Sequence, residues 1–214
     1  MSVLTFKNVH VVGKKVLKGV ELTNFSLEVN AGETVALVGE KAPLVMAALT
    51  GKAKMLSGEI YVSDYLLGKA KLADRDVEYV PCDEDHYMGL APKKPVRLAF
   101  ITPLKKRKMP EGQIKSLMES AAQRLDISHL LDRKPRALAS KQKVRVVLGS
   151  VATRSPRAVV MEDVFKISLP EYREDIGGAL KASLEALGLT VLFYTTAETA
   201  ALAAEAGARI VEVN

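Results

Sequence analysis

Cysteine, histidine and long apolar runs are scarce in this sequence, and each scarcity excludes a class of protein. Cys82 is the only cysteine, which excludes an internal disulfide framework and is typical of a reducing compartment. The three histidines, His10, His86 and His129, have no metal-ligand spacing with that cysteine, so the sequence predicts no metal site. No apolar run approaches the roughly 20 residues that span a bilayer, and the N-terminal residues lack the order of a signal peptide. We therefore expect a cytoplasmic protein, either unattached or peripheral at the inner face of a membrane.

Aromatic residues are also scarce, at 5% of the chain, whereas basic residues are in excess, with a net charge of +6. A basic excess of this size fits nucleic acid, an anionic membrane face or a nucleotide as partner, and it fits a solvated lysine-rich surface equally well. The longest basic run, from Lys105 to Lys108, contains no aromatic side chain that could stack on a base. Nucleic acid is therefore not the favoured partner.

The apolar pattern predicts an α/β protein. The 214 residues are 48% hydrophobic, which is enough for the core of one large domain. From residue 158 onward the segments read strand, helix, strand, helix, strand, an order that predicts a parallel sheet with helices on its faces. Two helices with one apolar face precede these segments. One begins at Pro110, and the other has Ser140 as its predicted N-cap.

The stretch from Ala31 to Gly51 has the strand, turn and helix pattern of a phosphate-binding loop, but it lacks the residues of that loop. It predicts an apolar strand, a tight turn at Gly39 and a short helix that ends at Gly51. A phosphate loop of the form G-x-x-x-x-G-K-[ST] needs several backbone N–H groups around an anion, a lysine and a hydroxyl for magnesium. After Gly39 there is no second glycine, no Gly-Lys pair and no serine or threonine before Thr50. We therefore expect the scaffold without the phosphate cradle.

The order of these pieces resembles the ATPase subunit of ABC transporters, most of all the subtype that serves sugar and glycerol-phosphate importers. The resemblance is carried by Gly32–Gly39, Leu49–Gly51, Ser57–Ile60, Val96–Leu138, Ala158–Phe165 and Thr190–Thr196. It implies a P-loop NTPase-like fold, with a mostly parallel sheet flanked by helices, an N-terminal antiparallel β subdomain and a helical subdomain. We expect residues 1–214 to form a single ABC ATPase-like domain, with the helical subdomain at about residues 83–140.

The resemblance also implies ligands and partners. Subunits of this family dimerise head to tail, and each ATP lies between the phosphate loop of one copy and the signature motif of the other. ATP and magnesium are therefore the implied cofactors. The implied partners are a second copy or another ABC ATPase-like subunit, in a homodimer or heterodimer, and a membrane protein docked on the helical subdomain.

Every nucleotide-contacting motif departs from the family's pattern. Glu40 to Gly51 spans twelve residues, about three fewer than the family's loop and helix, and Pro43 lacks an N–H that a phosphate would use. Cys82 stands at the position of the glutamine that ligates magnesium. The positions equivalent to the phosphate loop and to the signature motif are Gly39, Glu40, Lys41, Ala42 and Pro43, and Ser140, Lys141 and Gln142.

The catalytic positions are altered as well. The family has aspartate for the magnesium shell and then glutamate as general base, whereas this chain has Glu162 and then Asp163. Moving a base by one methylene can cost orders of magnitude in rate, because proton transfer needs hydrogen-bond contact. Thr196 replaces the switch histidine and cannot carry its charge. These three are the vestigial catalytic residues, and no metal ligand is assigned.

Two main interpretations and a weaker third stay open. The departures together favour a catalytically silent ABC ATPase-like protein, a scaffold or regulatory subunit that acts through dimerisation or a membrane partner. Gln142 and the acidic pair support the alternative, a divergent ATP-binding subunit whose weak or asymmetric hydrolysis energises transport. A nucleic-acid-associated relative of these ATPases is the third.

Overall fold

The structure is a computed structural model that describes residues 1–68, 71–82 and 87–214. Two compact units are distinguished by the contacts within each. Unit 1 consists of Met1–Tyr79, Arg157–Asp163 and Leu189–Asn214, and unit 2 consists of Val80–Pro156 and Val164–Gly188. Residues 83–86, at the start of the predicted helical subdomain, lie outside the described residues, as does His86.

The described residues form nine strands and six α-helices. The strands are β1 (Ser2–Gly13), β2 (Glu21–Asn30), β3 (Thr34–Val38), β4 (Ala53–Val62), β5 (Tyr65–Leu66), β6 (Val77–Val80), β7 (Ala158–Met161), β8 (Val191–Thr195) and β9 (Arg209–Glu212). The α-helices are α1 (Ala42–Leu49), α2 (Arg97–Lys106), α3 (Glu111–Arg124), α4 (Ser140–Ala152), α5 (Arg173–Leu187) and α6 (Ala200–Glu205). None of the helices in the described ranges combines the length and the apolar character that a bilayer crossing requires.

The N-terminal part of unit 1 is an antiparallel sheet with the strand order β2-β1-β4-β5. Strand β1 pairs antiparallel with both β2 and β4. Leu4, Phe6, Val9 and Val11 of β1 are almost completely buried, because a register shift between Phe6 and Val9 keeps both halves of the strand facing the core. The predicted antiparallel β subdomain is confirmed.

The second sheet of unit 1 has the strand order β6-β7-β8-β3-β9. Strands β7 and β3 both pair parallel with β8, and β9 pairs parallel with β3. All five residues of β3 are buried, as expected for an inner strand of a covered parallel sheet. Because parallel strands end at the same edge, the turn after β3 lies at the same edge of the sheet as the ends of β7 and β8. That edge carries the candidate site of unit 1.

Unit 2 contains helices α2 to α5. The predicted helix at Pro110 is confirmed as α3, and Gly188 ends α5 with φ of +63°. Helix α2 was not predicted, because proline disfavours the interior of a helix and Pro103 lies in its second half. Its signal was the spacing of Val96, Phe100 and Leu104, which are at most 1% exposed.

An ion pair stabilises the turn between β2 and β3. The Arg209 guanidinium donates to Glu33 at 2.5 Å, and the Asn30 N–H donates to the same carboxylate at 2.7 Å. The hydrogen bond from Arg209, followed by those from Asn30, holds the pKa of Glu33 below its ordinary value despite partial burial. The ion pair therefore ties β9 to the start of β3.

Stability should depend on pH through Glu33. Because its pKa is lower in the folded state, its contribution is present above the unfolded-state pKa and is lost as the pH falls through the folded-state pKa. We expect Glu33→Gln to lower the free energy of unfolding by about 1 kcal/mol at pH 7, and by progressively less as the pH falls below the ordinary pKa of a glutamate. Urea titrations of both proteins across this range measure the difference, and a constant difference at all pH values would contradict the assignment.

Candidate functional site

The turn that follows β3 contains the predicted phosphate-loop positions, Gly39 to Pro43. The N–H of Ala42 donates to the carbonyl of Gly39 at 3.1 Å, and the N–H of Leu44 donates to the carbonyl of Lys41 at 2.8 Å. Pro43 between them has no N–H, and Ala42 and Leu44 are fully buried. At these three positions the first turn of α1 therefore offers no exposed backbone donor to an anion.

The side chains of this turn carry opposite charges. Glu40 is exposed and Lys41 is half-buried. Lys41 is the N-cap residue of α1, and its side chain makes no capping hydrogen bond. Because the carboxylate of Glu40 offsets the ammonium of Lys41, the turn gains no net positive charge with which to attract a phosphate.

Glu162, the first residue after β7, is held by a tyrosine from the neighbouring strand. The hydroxyl of Tyr79, in β6, donates a hydrogen bond to Oε1 of Glu162. The ammonium of Lys52 lies 3.5 Å from the same hydroxyl and 5.1 Å from the centroid of the tyrosine ring. The sequence analysis assigned no role to either partner, because the contacts join residues that are distant along the chain.

Asp163 is held on the other side of β7, by β8. It is 2% exposed, and Oγ1 of Thr195 donates to its Oδ1 at 3.2 Å. Thr195 lies 2.6 Å from the hydroxyl of Thr199, which is 3.1 Å from that of Thr196. The sequence singled out Thr196, but Thr196 is exposed, and its neighbour Thr195 contacts the carboxylate. Thr195 is the last residue of β8, whereas Thr196 lies beyond the end of the strand.

A nucleotide with magnesium, which the resemblance implies, sets two requirements at this edge of the sheet. It needs backbone N–H groups directed at phosphate oxygens, and it needs carboxylate oxygens directed at the metal. Here the N–H groups of Ala42 and Leu44 are engaged, and Glu162 and Asp163 accept hydrogen bonds from Tyr79 and Thr195. These contacts engage two N–H groups of the turn and at least one oxygen of each carboxylate.

The signature positions lie in unit 2, at the start of α4. Ser140 is the first residue of the helix, and Ala139 is the N-cap, so the predicted Ser140 cap is wrong. The hydroxyl of Ser140 instead donates to the carbonyl of Ile167 at 3.1 Å. Gln142 supplies the cap, because its Oε1 accepts the N–H of Ala139 at 3.0 Å.

Lys141 is paired with a carboxylate rather than directed at open solvent alone. Its ammonium lies 3.2 Å from each oxygen of Asp175, and both side chains are about half exposed. A cavity of about 250 Å³ adjoins this pair and is lined by Leu138 to Lys141, Ser168, Tyr172 and Asp175. Asp175 reduces the attraction of Lys141 for an anion in that cavity.

A larger cavity of about 610 Å³ lies beside the same helix start. Its charged lining is mixed in sign and includes Lys141 and Arg145 together with Asp126, Glu174 and Asp175. Further along α4, burial lowers the pKa of Lys143, whose ammonium lies 5.0 Å from the centroid of the Tyr87 ring. Neither feature concentrates charge of one sign as a phosphate site does.

The remaining candidate residues are one cysteine and two histidines. Cys82 is buried in unit 2. His10 lies 3.4 Å from the carboxylate of Glu21, and His129 is exposed. Within residues 1–68, 71–82 and 87–214, no three histidine, cysteine, aspartate or glutamate side chains are grouped so that they could hold a metal ion.

Comparison with known proteins gives relatives by sequence. No protein-family model matches the chain. It is 30% identical over 177 residues to the sn-glycerol-3-phosphate import ATP-binding protein UgpC of Bartonella quintana, covering 81% of this chain and 50% of that protein. It is 29% identical over 200 residues to UgpC of Rhizobium meliloti, covering 91% and 55%. The chain thus spans about half the length of the curated relatives it matches.

Solved structures share the fold. The chain matches cbiO1 from Clostridium perfringens, described as part of the ABC transporter complex cbiONQ, with a TM-score of 0.75 and 21% identity over 91% of this chain and 78% of that chain. It matches the dimeric, ADP- and Pi-bound ATP-binding cassette MJ0796 with a TM-score of 0.70 and 18% identity over 99% and 94%. At these identities the likeness shows the architecture alone. Taken with the sequence relatives, it shows that the chain belongs to the family of ABC transporter ATP-binding proteins.

Proposed function

We propose that this chain is a cassette subunit of an ABC-type import assembly that contributes at most weak ATP hydrolysis itself. The subunit role is supported by its relatives, which are import ATP-binding proteins matched over four fifths of the chain or more. By themselves these relatives favour an ATP-hydrolysing subunit over a silent scaffold. Weak hydrolysis is supported by the turn after β3. There the N–H groups of Ala42 and Leu44 already donate hydrogen bonds to backbone carbonyls, and Pro43 has no N–H.

Phosphoryl transfer depends almost wholly on positioning and charge stabilisation. This chain keeps both carboxylates of the acidic pair. They accept hydrogen bonds from the hydroxyls of Tyr79 and Thr195. We infer that Glu162 and Asp163 serve this chain mainly by linking β6, β7 and β8. The hydrolytic work of the assembly then falls to a competent partner subunit.

The proposed partners follow from the same relatives. MJ0796 is described as dimeric, so we infer a homodimer, or a heterodimer with a competent cassette, for this chain as well. The helical unit 2 is the surface that we assign to a membrane protein, which places the chain at the cytoplasmic face of a membrane. ATP and magnesium are the ligands to be tested, and nucleic acid is not proposed.

Hydrolysis by the isolated protein is the decisive measurement. We expect its Mg-ATP turnover to lie within about twofold of that of a Glu162→Gln, Asp163→Asn double variant, because positioned phosphate donors are missing in both. A phosphate-release assay with a parallel ATP-binding titration measures this. Circular dichroism of both proteins is the control, since both substituted side chains accept hydrogen bonds.

Three outcomes bear on the assignment. Turnover well above the double variant would show an active enzyme and would contradict weak hydrolysis. Turnover that appears only after a competent cassette is added, and that falls on Ser140→Ala or Gln142→Ala in this chain, would establish the asymmetric subunit. Loss of the Ser140 or Gln142 side chain without effect would remove the asymmetric interpretation.

A further inference from the structure

Two segments of unit 2 that are distant in sequence lie side by side. The N–H of Val96 donates to the carbonyl of Arg133 at 2.9 Å, and the N–H of Arg97 donates to the carbonyl of Leu131 at 2.8 Å. These hydrogen bonds join residues 93–97 to residues 131–136. Each segment is rich in basic residues, so the pairing brings two short basic runs together.

The joined segments form what we call the basic platform. Its six basic side chains are all exposed, and they are Lys93, Lys94, Arg97, Arg133, Lys134 and Arg136. Asp132 is the only acidic residue in the two segments, and it pairs with Arg97. The other five make no ion pair or side-chain hydrogen bond with any residue that the structure describes.

The other basic run of unit 2 differs from the platform. In the run from Lys105 to Lys108, Lys105 bonds to Glu111 at 2.8 Å and Arg107 donates to the carbonyl of Arg154 at 3.1 Å. These contacts stabilise helix ends and their loops. In the platform, by contrast, long cationic side chains are held together by backbone pairing and are left directed at solvent.

We propose that the basic platform binds the anionic headgroups of a membrane surface. Such binding needs several mobile cations on one exposed face, each of which adds to a diffuse attraction, and it needs no shaped pocket. The two segments contain no aromatic side chain, so a base has nothing to stack on. They also line neither of the cavities of unit 2 described above. The proposal rests on charge alone and does not depend on nucleotide binding.

Vesicle sedimentation tests this proposal. We expect the protein to bind vesicles of phosphatidylglycerol and phosphatidylcholine, not vesicles of phosphatidylcholine alone, and to dissociate as salt is added. The variant Lys93→Gln, Lys94→Gln, Lys134→Gln should bind roughly a hundredfold more weakly, since each cation near an anionic surface contributes about a fivefold factor.

A matched control comes from the turn between β1 and β2. Lys14, Lys15 and Lys18 are also exposed, and their replacement by glutamine lowers the net charge equally, from +6 to +3. This control should bind within about threefold of the unchanged protein. Equal losses in the two variants would show that net charge, not the platform, governs binding, and would overturn the proposal.

Three further results would also overturn it. One is a failure to bind the anionic vesicles at low salt. Another is tighter, platform-dependent binding of a single-stranded RNA oligonucleotide than of vesicles, which would make the platform a nucleic-acid surface. The third is platform-dependent binding of a poly-glutamate peptide without vesicle binding, which would identify an acidic protein segment as the partner.

Discussion

Replacing Gly39 by alanine is expected to lower the free energy of unfolding by about 3 kcal/mol or more. Gly39 has φ of +127°, a conformation that L side chains rarely adopt. A Cβ built there would lie 2.4 Å from the carbonyl oxygen of Val213. That oxygen cannot move away easily, because the N–H of Val213 is bonded to the carbonyl of Val38 at 2.8 Å. Urea unfolding followed by circular dichroism measures the loss.

Gly51→Ala is the matched control for this prediction. Gly51 also has a positive φ, of +68°, but no atom lies within 4 Å of the position its Cβ would occupy. It should therefore lose only about 1 kcal/mol, the cost of the left-handed backbone. Equal losses of stability at Gly39 and Gly51 would show that the contact between the added Cβ and the Val213 carbonyl does not destabilise the protein.

The Gly39 result bears on the site. A glycine at the end of β3 is what a phosphate-binding turn requires, and the resemblance interprets it in that way. The contact with Val213 gives a reason for glycine that involves no ligand. Glycine at position 39 is therefore required by the fold whether or not the turn binds a nucleotide.

Thr195→Val is expected to destabilise the protein by about 2 kcal/mol, whereas Thr196→Val should cost less than about 0.5 kcal/mol. Thr195 is 2% exposed and donates to the buried carboxylate of Asp163, so valine removes a charge-assisted hydrogen bond while keeping the shape of the side chain. Thr196 is exposed, and its hydroxyl can bond to water. Denaturant midpoints of the two variants give the comparison.

A double-mutant cycle identifies the partner of Thr195. In an Asp163→Asn background the charge is gone, and the cost of Thr195→Val should fall to about 1 kcal/mol. An unchanged cost would mean that the hydroxyl acts through Thr199 rather than Asp163. Similar losses for Thr195→Val and Thr196→Val would contradict the placement of the two threonines.

Most of the architecture was predictable because it depends on local pattern. The run Thr34–Val38 is apolar throughout and became the fully buried strand β3. The strand–helix order after residue 158 predicted the parallel sheet, and the resemblance to the ABC family implied the antiparallel one. Helix α2 was missed because Pro103 argues against a helix locally, whereas the burial of Phe100 and Leu104 favours it.

The candidate site was predictable only in part. The sequence identified Glu162 and Asp163 from their place after an apolar strand, and both lie there in the structure. It could not identify Tyr79 and Thr195 as their partners, because these lie 83 and 32 residues away along the chain. It also assigned the cap of α4 to Ser140, whose hydroxyl instead bonds to the carbonyl of Ile167.

The sequence by itself determined the strands, most helices, the membership of the ABC family and the missing second glycine, Gly-Lys pair and hydroxyl of the phosphate loop. These depend on residue type, period and spacing, which are local properties. Only the tertiary structure decided which donors the two carboxylates accept and why glycine stands at position 39. Hydrogen bonds and close approaches between strands depend on sheet order, and sheet order is set by the packing of the whole unit.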